Sequence, residues 1–271
     1  MEWSEILKPY LEGEKGLSLK SKIKEARTSS KVFPEPSKVF HAFDVTPFDK
    51  VRLVIIGDEP YRKENYSDGL AFSTTKLDRP PKLDKLFKNI YMNLYEDYQT
   101  TDKAKEYEAL FPSNNLTLWS EQGVLLLNSA LTCQEDKVGS HYELWKDFTT
   151  YIITELAKKG NIAFIFWGDN AMTFNPNFAN NYCNKDWGEN SNCFREAMYY
   201  LNANNKLDRF EYDFADFVDF EGIYANFTET YKGLMSEKLF NKLKEHLEGV
   251  QTKLITQLNI NLTTKKQTLW N

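Results

Sequence analysis

Short apolar runs recur along the chain, and three of them predict buried β-strands. Their length and their lack of polar alternation are typical of strands that are covered on both faces of a parallel sheet. The runs are Val51–Ile56, Gly123–Leu127 and Ile162–Trp167. A small or polar residue directly follows each run: Gly57, Asn128 and Gly168, in that order.

The segments between these runs carry apolar residues at a spacing of three or four, which predicts helices. The helical segments are residues 1–31, Leu86–Tyr95, Lys103–Phe111, Leu144–Lys159 and 235–249. Strands that alternate with helices predict an α/β fold: a three-layer sandwich in which helices flank a central, mostly parallel, four-stranded sheet. The carboxyl ends of its strands gather at one edge, where open sheets of this kind hold their ligands.

Residues 172–235 form the least regular segment. Thr173–Asn192 is rich in asparagine and reads as a loop, and Ala197–Leu201 is the candidate for the fourth strand. In Asp208–Glu221, phenylalanines at helical spacing predict an amphipathic helix whose acidic face meets solvent. The chain shows no internal repeat and no low-complexity linker, so we expect a single domain over residues 1–271 with a divergent segment at about 172–235.

Composition is that of a soluble globular protein, with 41% hydrophobic and 27% charged residues. No apolar run approaches the roughly 20 residues that span a bilayer. The N-terminal MEWSEILKPY lacks the layout of a signal peptide. We therefore expect a cytoplasmic protein, or a nuclear one in a host with compartments, that does not contact membranes.

The cysteine pattern and the net charge indicate which metals, cofactors and macromolecules the protein is expected to bind. Three cysteines without CxxC spacing argue against a disulfide framework and a structural zinc site. No feature calls for a metal or an organic cofactor. The net charge of −5 does not exclude a nucleic acid, because binding depends on the local field rather than on the sum of charges.

The stretch from Val51 to Phe72 carries the clearest chemical signal. Its buried strand stops at Gly57, and two acids, Asp58 and Glu59, follow at once before a proline. The carboxylates therefore lie at the strand end where a ligand crevice is expected. From these residues alone, an acid that faces a ligand and an acid that only caps a turn are equally good interpretations.

Several segments, taken in order, resemble the uracil-DNA glycosylases. VFHAFDVTPFDKVRLVIIGDEPY is similar to the family's run into its water-activating loop, usually GQDPYH, and GLAFS is similar to its base-stacking segment. RPPKLDKLFKNIY resembles the proline-rich loop that contacts phosphates. WSEQGVLLLNSALTC resembles the segment of the uracil-reading asparagine, and IAFIFWGDNA the strand before the glycine-serine loop. The resemblance covers about residues 1–172 and implies the glycosylase fold.

The resemblance also implies roles for matching residues. Such an enzyme flips a base into a pocket and stabilises the charge of the departing base. Glu59 is then the carboxylate that faces the sugar cation and the water. Phe72 stacks on the base, Asn128 bonds its pyrimidine edge, and Tyr61 crowds the 5-substituent so that thymine is rejected. The implied contacts with DNA come from Arg62, Pro80, Pro81 and Gly168.

Three departures from the family pattern surround the acid. The family aspartate is Glu59, which is longer by one methylene, or about 1.5 Å. The preceding glutamine is Asp58, which adds a second carboxylate to the predicted catalytic group. The family histidine is Arg62, whose charge offsets the two acids or holds a DNA phosphate.

The family's HPSP motif, which supplies a donor to O2 of the base and a leucine wedge, has no counterpart in the sequence. If Ala197–Leu201 is a strand, NANNKL falls in the place of this motif. Asn202 is then a candidate donor, with Asn204 and Asn205 as alternatives, and Leu207 is the candidate wedge. The three histidines, His41, His141 and His246, each read as non-catalytic.

Two functions remain open. One is a DNA glycosylase that leaves an abasic site and acts on uracil or on a modified pyrimidine, such as a hypermodified cytosine of phage DNA, which would serve antiviral defence. The other is a catalytically inactive glycosylase fold that binds DNA or docks a protein partner; the missing histidine and the acidic Asp208–Glu221 favour it. We expect a monomer whose partner is DNA, with a protein partner as a further option for the inactive alternative.

Overall fold

Buried parallel strands form the centre of the molecule. The computed structural model describes residues 2–94, 113–174, 180–185 and 191–204. The strands in these ranges are β1 (Val32–Phe33), β2 (Leu53–Gly57), β3 (Val124–Asn128), β4 (Cys133–Gln134), β5 (Ala163–Phe166) and β6 (Tyr182–Asn184). Four of them form a sheet of order β3-β2-β5-β6 in which all neighbours are parallel, and β1 pairs with β4 in an antiparallel ribbon.

Helices surround this sheet. They are α1 (Trp3–Leu11), α2 (Glu14–Ser29), α3 (His41–Val45), α4 (Pro81–Leu94), α5 (Thr117–Glu121), α6 (Tyr142–Lys159) and α7 (Cys193–Asn204). α1 and α2 contact each other and α6, whereas α4 contacts α7, and α7 contacts β5 and β6. The predicted α/β class and the central four-stranded parallel sheet are confirmed.

The three predicted apolar runs are the three inner strands. Every residue of β2, β3 and β5 is buried. Burying one Leu, Ile, Val or Phe side chain stabilises a fold by about 1.5–3 kcal/mol, so these runs dominate the core. The register pairs Gly57 of β2 with Asn128 of β3, which aligns the carboxyl ends of the strands at one edge.

Two predictions in the irregular segment were wrong. Ala197–Leu201 is not a strand but lies within α7; Phe194, Ala197 and Leu201 are buried at helical spacing, while Glu196 is exposed. The fourth strand is instead β6, inside the segment interpreted as a loop. β6 pairs only with β5 and all its residues are half-buried, so it has no apolar run to reveal it.

Several predictions fall on residues outside the described ranges: the helices at Lys103–Phe111, Asp208–Glu221 and 235–249, the wedge Leu207, and His246. The described residues other than Ser113 belong to one compact unit. The single domain over residues 1–271 therefore stays a prediction. Among the described helices, none combines the length and the apolarity needed to cross a bilayer.

Candidate active site

A cavity lies at the carboxyl edge of the sheet. It is bounded by the ends of β2, β3 and β5 and by the first turn of α4. Six residues predicted for the site line it: Asp58, Glu59, Tyr61, Phe72, Asn128 and Gly168. Arg62, Pro80 and Pro81 are not among its lining residues; the two prolines lead into α4.

Two of these side chains approach the backbone closely at Gly57. A Cβ atom at this position would lie 3.0 Å from Oδ1 of Asn128 and 3.0 Å from Cζ of Phe72. Asn128 is 6% exposed, and among the described residues its side-chain amide has no hydrogen-bond partner. Buried amides usually have partners in the protein. The donor and acceptor of Asn128 are therefore available to a ligand beside the ring of Phe72.

Phe72 has a strained backbone. Its φ is 67°, a conformation that costs a residue other than glycine about 1–3 kcal/mol. Two hydrogen bonds hold this turn, from Tyr61 Oη to the Phe72 carbonyl at 2.5 Å and from the Ala71 amide to the Leu126 carbonyl at 3.1 Å. The Phe72 ring also meets Trp167 edge to face, with centroids 5.8 Å apart. The ring is thus fixed as one wall of the cavity.

Tyr61 forms the adjoining wall. Burial, with a smaller contribution from the charge of Asp68, raises the pKa of its phenol above the ordinary value. The hydroxyl therefore stays protonated and continues to donate to Phe72. Asp68 in turn accepts hydrogen bonds from Ser73 Oγ and from the Leu70 amide, which fixes the turn before Phe72.

Glu59 is the buried acid of the cavity. Its side chain is 4% exposed and lies 3.4 Å from Nη1 of Arg62. Its Oε2 accepts a 2.9 Å hydrogen bond from the Gly139 amide. Burial raises the pKa of Glu59, and this effect outweighs the Gly139 hydrogen bond and the charges of Arg62 and Lys82, which lower it. Gly139, Arg62 and Lys82 thus favour the ionised form of the carboxylate, whereas its burial disfavours that form.

Asp58 has a different set of contacts. Its Oδ1 accepts hydrogen bonds from the amides of Asn170 and Ala171, at 2.9 and 3.0 Å. A Cβ on Gly168 would lie 2.2 Å from the same oxygen, so glycine is needed there. These contacts match the turn-capping interpretation. Asp58 ties the end of β2 to the loop after β5, whereas Glu59 is bound by the Gly139 amide and Arg62.

Some residues of the cavity were not foreseen. Lys82 and Lys85 line it from the first turn of α4, and Trp167 closes it behind Phe72. The signal for the lysines was present in RPPKLDK, where they are three residues apart directly after the prolines. The Gly139 amide left no signal, because its role depends on a contact across 80 residues.

The remaining candidates lie elsewhere. His141 is buried, and its Nδ1 lies 2.8 Å from Thr132 Oγ1; neither it nor His41 lines the cavity. Asn202 lies in the last turn of α7, so the strand that would have placed it at the base does not exist. Within the described residues, no cluster of His, Cys, Asp and Glu is arranged to hold a metal ion.

The cavity at the edge of the parallel sheet thus brings together a buried carboxylate, an aromatic ring and a side-chain amide. The family model of the Uracil DNA glycosylase superfamily matches residues 43–214. The chain belongs to this superfamily, a class of enzymes that hydrolyse N-glycosidic bonds in DNA.

Individual relatives agree with this assignment. The uracil-DNA glycosylase of Azobacteroides pseudotrichonymphae is 39% identical over 173 residues, which are 63% of this chain and 73% of the relative. That of Borrelia hermsii is 34% identical over 221 residues, 75% of this chain and 94% of the relative. The crystal structure of mimivirus uracil-DNA glycosylase shares the fold, with a TM-score of 0.64, 20% identity and coverage of 77% of this chain and 85% of that one.

Proposed function

We propose that this protein removes uracil from DNA by hydrolysing the bond between the base and its sugar. The observation that carries the proposal is that Glu59, Phe72 and Asn128 line one cavity at the sheet edge. In this arrangement Phe72 stacks on the flipped base and the open amide of Asn128 pairs with its polar edge. Family relatives named as uracil-DNA glycosylases support the same substrate.

Glu59 supplies the charge that the reaction needs at the sugar. The bond from C1′ to N1 breaks with both electrons on the base, so positive charge develops on the sugar. A buried carboxylate stabilises that charge more than one in water does, because the local dielectric is low. Glu59 also orients the attacking water and accepts its proton. The hydrogen bond from Gly139 fixes the carboxylate for this task.

Tyr61 favours uracil over 5-substituted pyrimidines. Its hydroxyl is bonded to the Phe72 carbonyl, so its ring cannot withdraw without breaking that bond and loosening the strained turn at Phe72. A methyl group or a larger substituent at C5 would meet this wall. The alternative substrate, a hypermodified phage cytosine with a role in antiviral defence, requires the Tyr61 wall to move.

The ion pair between Arg62 and Glu59 favours the second candidate, an inactive DNA-binding protein. A guanidinium 3.4 Å from the carboxylate offsets the negative charge that would stabilise the sugar cation. For an active enzyme, Arg62, which is 32% exposed, turns toward a DNA phosphate when the substrate binds.

The test uses matched oligonucleotides that carry a single uracil, thymine or 5-hydroxymethylcytosine, together with genomic DNA from phages with modified cytosine. Alkali-labile sites at uracil, lost in Glu59→Gln and absent at thymine, are the expected result. Glu59→Gln retains the size of the side chain, so its binding to uracil DNA serves as the control for folding. Cleavage of the modified cytosines alone would replace uracil as the substrate. Binding without cleavage of any substrate would establish the inactive alternative.

A further inference from the structure

The cavity lacks the histidine that the family uses at the departing base. His41 and His141 lie outside its lining, and the described part of the chain contains no other histidine. Yet bond cleavage leaves negative charge on the base, and a positioned donor or cation at that point is commonly the largest single contribution to such a reaction. Among the described residues, a group other than histidine is therefore the candidate to face the charge.

Positive charge enters the cavity from α4. Lys82 and Lys85, both in the first turn of this helix, line the same cavity as Phe72 and Asn128. The acid of that turn, Asp84, is engaged away from Lys82: it lies 2.7 Å from Nζ of Lys88 and 4.0 Å from Nη1 of Arg79. Lys82 has no ion pair with an acid of the described ranges, so its charge is not cancelled locally.

Both lysines line the cavity together with Glu59, and Lys82 is the one whose charge acts on that acid. Burial raises the pKa values of Glu59 and of Cys133 behind it, and the charge of Lys82 opposes both changes. Cys133 Sγ donates to the Pro60 carbonyl, next to Glu59. Lys82 is thus within electrostatic range of the carboxylate, and a base held in the cavity lies within range of both charges.

We propose that Lys82 is a catalytic residue whose ammonium group stabilises the departing base. The inference rests on the proposed function. When the bond between C1′ and N1 breaks, the electron pair stays on the base, whose charge spreads to O2 and O4 and is held by Lys82 without proton transfer. The water oxygen bonds to C1′ and its proton passes to Glu59. The released base then takes a proton from solvent, so the products are a neutral base and an abasic sugar.

The competing role is a contact with a DNA phosphate, and the two roles differ in what they depend on. A phosphate contact changes binding and its response to salt, and it acts equally on every base. Stabilisation of the departing base matters most for the poorest leaving group. Uracil and 5-fluorouracil separate the two cases, because the fluorine makes the base anion more stable and is small enough to fit beside Tyr61.

The experiment measures single-turnover cleavage at saturating protein for uracil and 5-fluorouracil in the same oligonucleotide. It compares the wild type, Lys82→Met and Lys82→Arg, with Lys22→Met, at an exposed lysine of α2 that does not line the cavity, as the control. We expect Lys82→Met to lose about 10²-fold on uracil, as for loss of one such donor, and clearly less on 5-fluorouracil. Lys82→Arg should recover most of the rate, and Lys22→Met should match the wild type.

Two results would overturn the inference. One is an equal loss of cleavage rate on both bases in Lys82→Met, together with a weaker salt dependence of DNA binding. A decrease of about one unit in the slope of log K against log salt is the signature of a lost phosphate contact. The other is an unchanged rate in Lys82→Met. A wild type that cleaves neither base would instead refute the proposed function, and the inference with it. Lys82 is exposed, so thermal unfolding of the variant should match that of the wild type.

Discussion

The Gly139 amide donates a 2.9 Å hydrogen bond to Oε2 of Glu59, although 80 residues separate the two in sequence. The extra methylene of glutamate gives the carboxylate about 1.5 Å more reach than an aspartate has. We therefore expect Glu59→Asp to lose this contact and to cleave uracil DNA about a hundredfold more slowly, the cost of a misplacement near 1 Å. Single-turnover rates at saturating protein measure the effect.

The control for this prediction is DNA affinity. Glu59→Asp keeps the charge of the site, so its binding to uracil DNA should stay near that of the wild type while its rate falls. An aspartate variant as fast as the wild type would mean that Gly139 does not position the carboxylate.

The pH dependence of both the reaction and the fold should report the burial of Glu59. In the proposed mechanism the ionised form of Glu59 is the active one, and burial raises the pKa of this carboxyl above the ordinary value of 4.5. We expect the cleavage rate at saturating DNA to decrease as the pH is lowered. This decrease should occur at a higher pH than that at which an exposed glutamate titrates. In Glu59→Gln this acid limb should vanish along with most of the activity. An acid limb that persists in the residual activity of the variant would assign it to another group.

The same raised pKa means that Glu59 should oppose folding at neutral pH. Between its unfolded pKa and its raised folded pKa, the native state binds more protons than the unfolded chain does, so stability falls as pH rises through that window. Glu59→Gln should therefore unfold at a higher temperature than the wild type at pH 7, with the difference closing below the unfolded pKa. Calorimetric scans from acid to neutral pH measure it. A lower melting temperature at pH 7 would show that the ion pair with Arg62 outweighs burial.

Asp58 and Glu59 are adjacent, but we expect their variants to fail differently. Asp58→Ala removes the acceptor for the amides of Asn170 and Ala171 and should cost about 1.5–3 kcal/mol of stability, as for hydrogen bonds to a charged group. Asp58→Asn keeps an oxygen in the same place, so it should be more stable than Asp58→Ala and should cleave within about tenfold of the wild type. Chemical denaturation and cleavage rates of both variants provide the measurements. An asparagine variant as inactive as Glu59→Gln would make Asp58 part of the chemistry.

The sequence was sufficient for three of the four strands of the sheet and for six residues that line the cavity at its edge. Continuous apolar runs and the residues after them indicate strands and cavity together, because the carboxyl ends of parallel strands bring those residues to one edge of the sheet. It was not sufficient to divide roles between Asp58 and Glu59. Both are carboxylates after the same strand, and only the partners in space, Asn170 for one and Gly139 for the other, distinguish them.

The error at Ala197–Leu201 has a physical cause. A run of five largely apolar residues fits a strand or one side of a helix, and only its wider context decides. Here Phe194 extends the pattern at a spacing of three, so the helical period was present once the window included it. β6 has no such signal, since a half-buried edge strand needs no apolar run.

Substrate choice should depend on Tyr61. Tyr61→Ala removes the ring beside the position expected for C5 and should allow cleavage at thymine, which we expect the wild type to reject. Tyr61→Phe keeps the ring but loses the hydrogen bond to the Phe72 carbonyl, so we expect it to reject thymine while it destabilises the fold by about 0.5–1.5 kcal/mol. Cleavage of oligonucleotides with a single thymine, compared with uracil, tests both variants. Thymine cleavage by the wild type would remove Tyr61 as the basis of specificity.

Gly57 should be as important as the residues that touch the base. In Gly57→Ala the new Cβ would lie 3.0 Å from both Oδ1 of Asn128 and Cζ of Phe72, so both side chains must shift by a few tenths of an ångström from their positions in the cavity. We expect a stability loss of about 1–3 kcal/mol from overpacking, together with weaker binding of uracil DNA and slower cleavage. Gly160→Ala is the matched control: its φ of 69° strains an alanine, but its Cβ would meet only Asn180, at 3.7 Å, beyond the end of α6. Loss of uracil cleavage per folded molecule in Gly57→Ala alone, with loss of stability in both variants, would support a base that rests beside Asn128 and Phe72. Equal activity in the two variants would place the base elsewhere in the cavity.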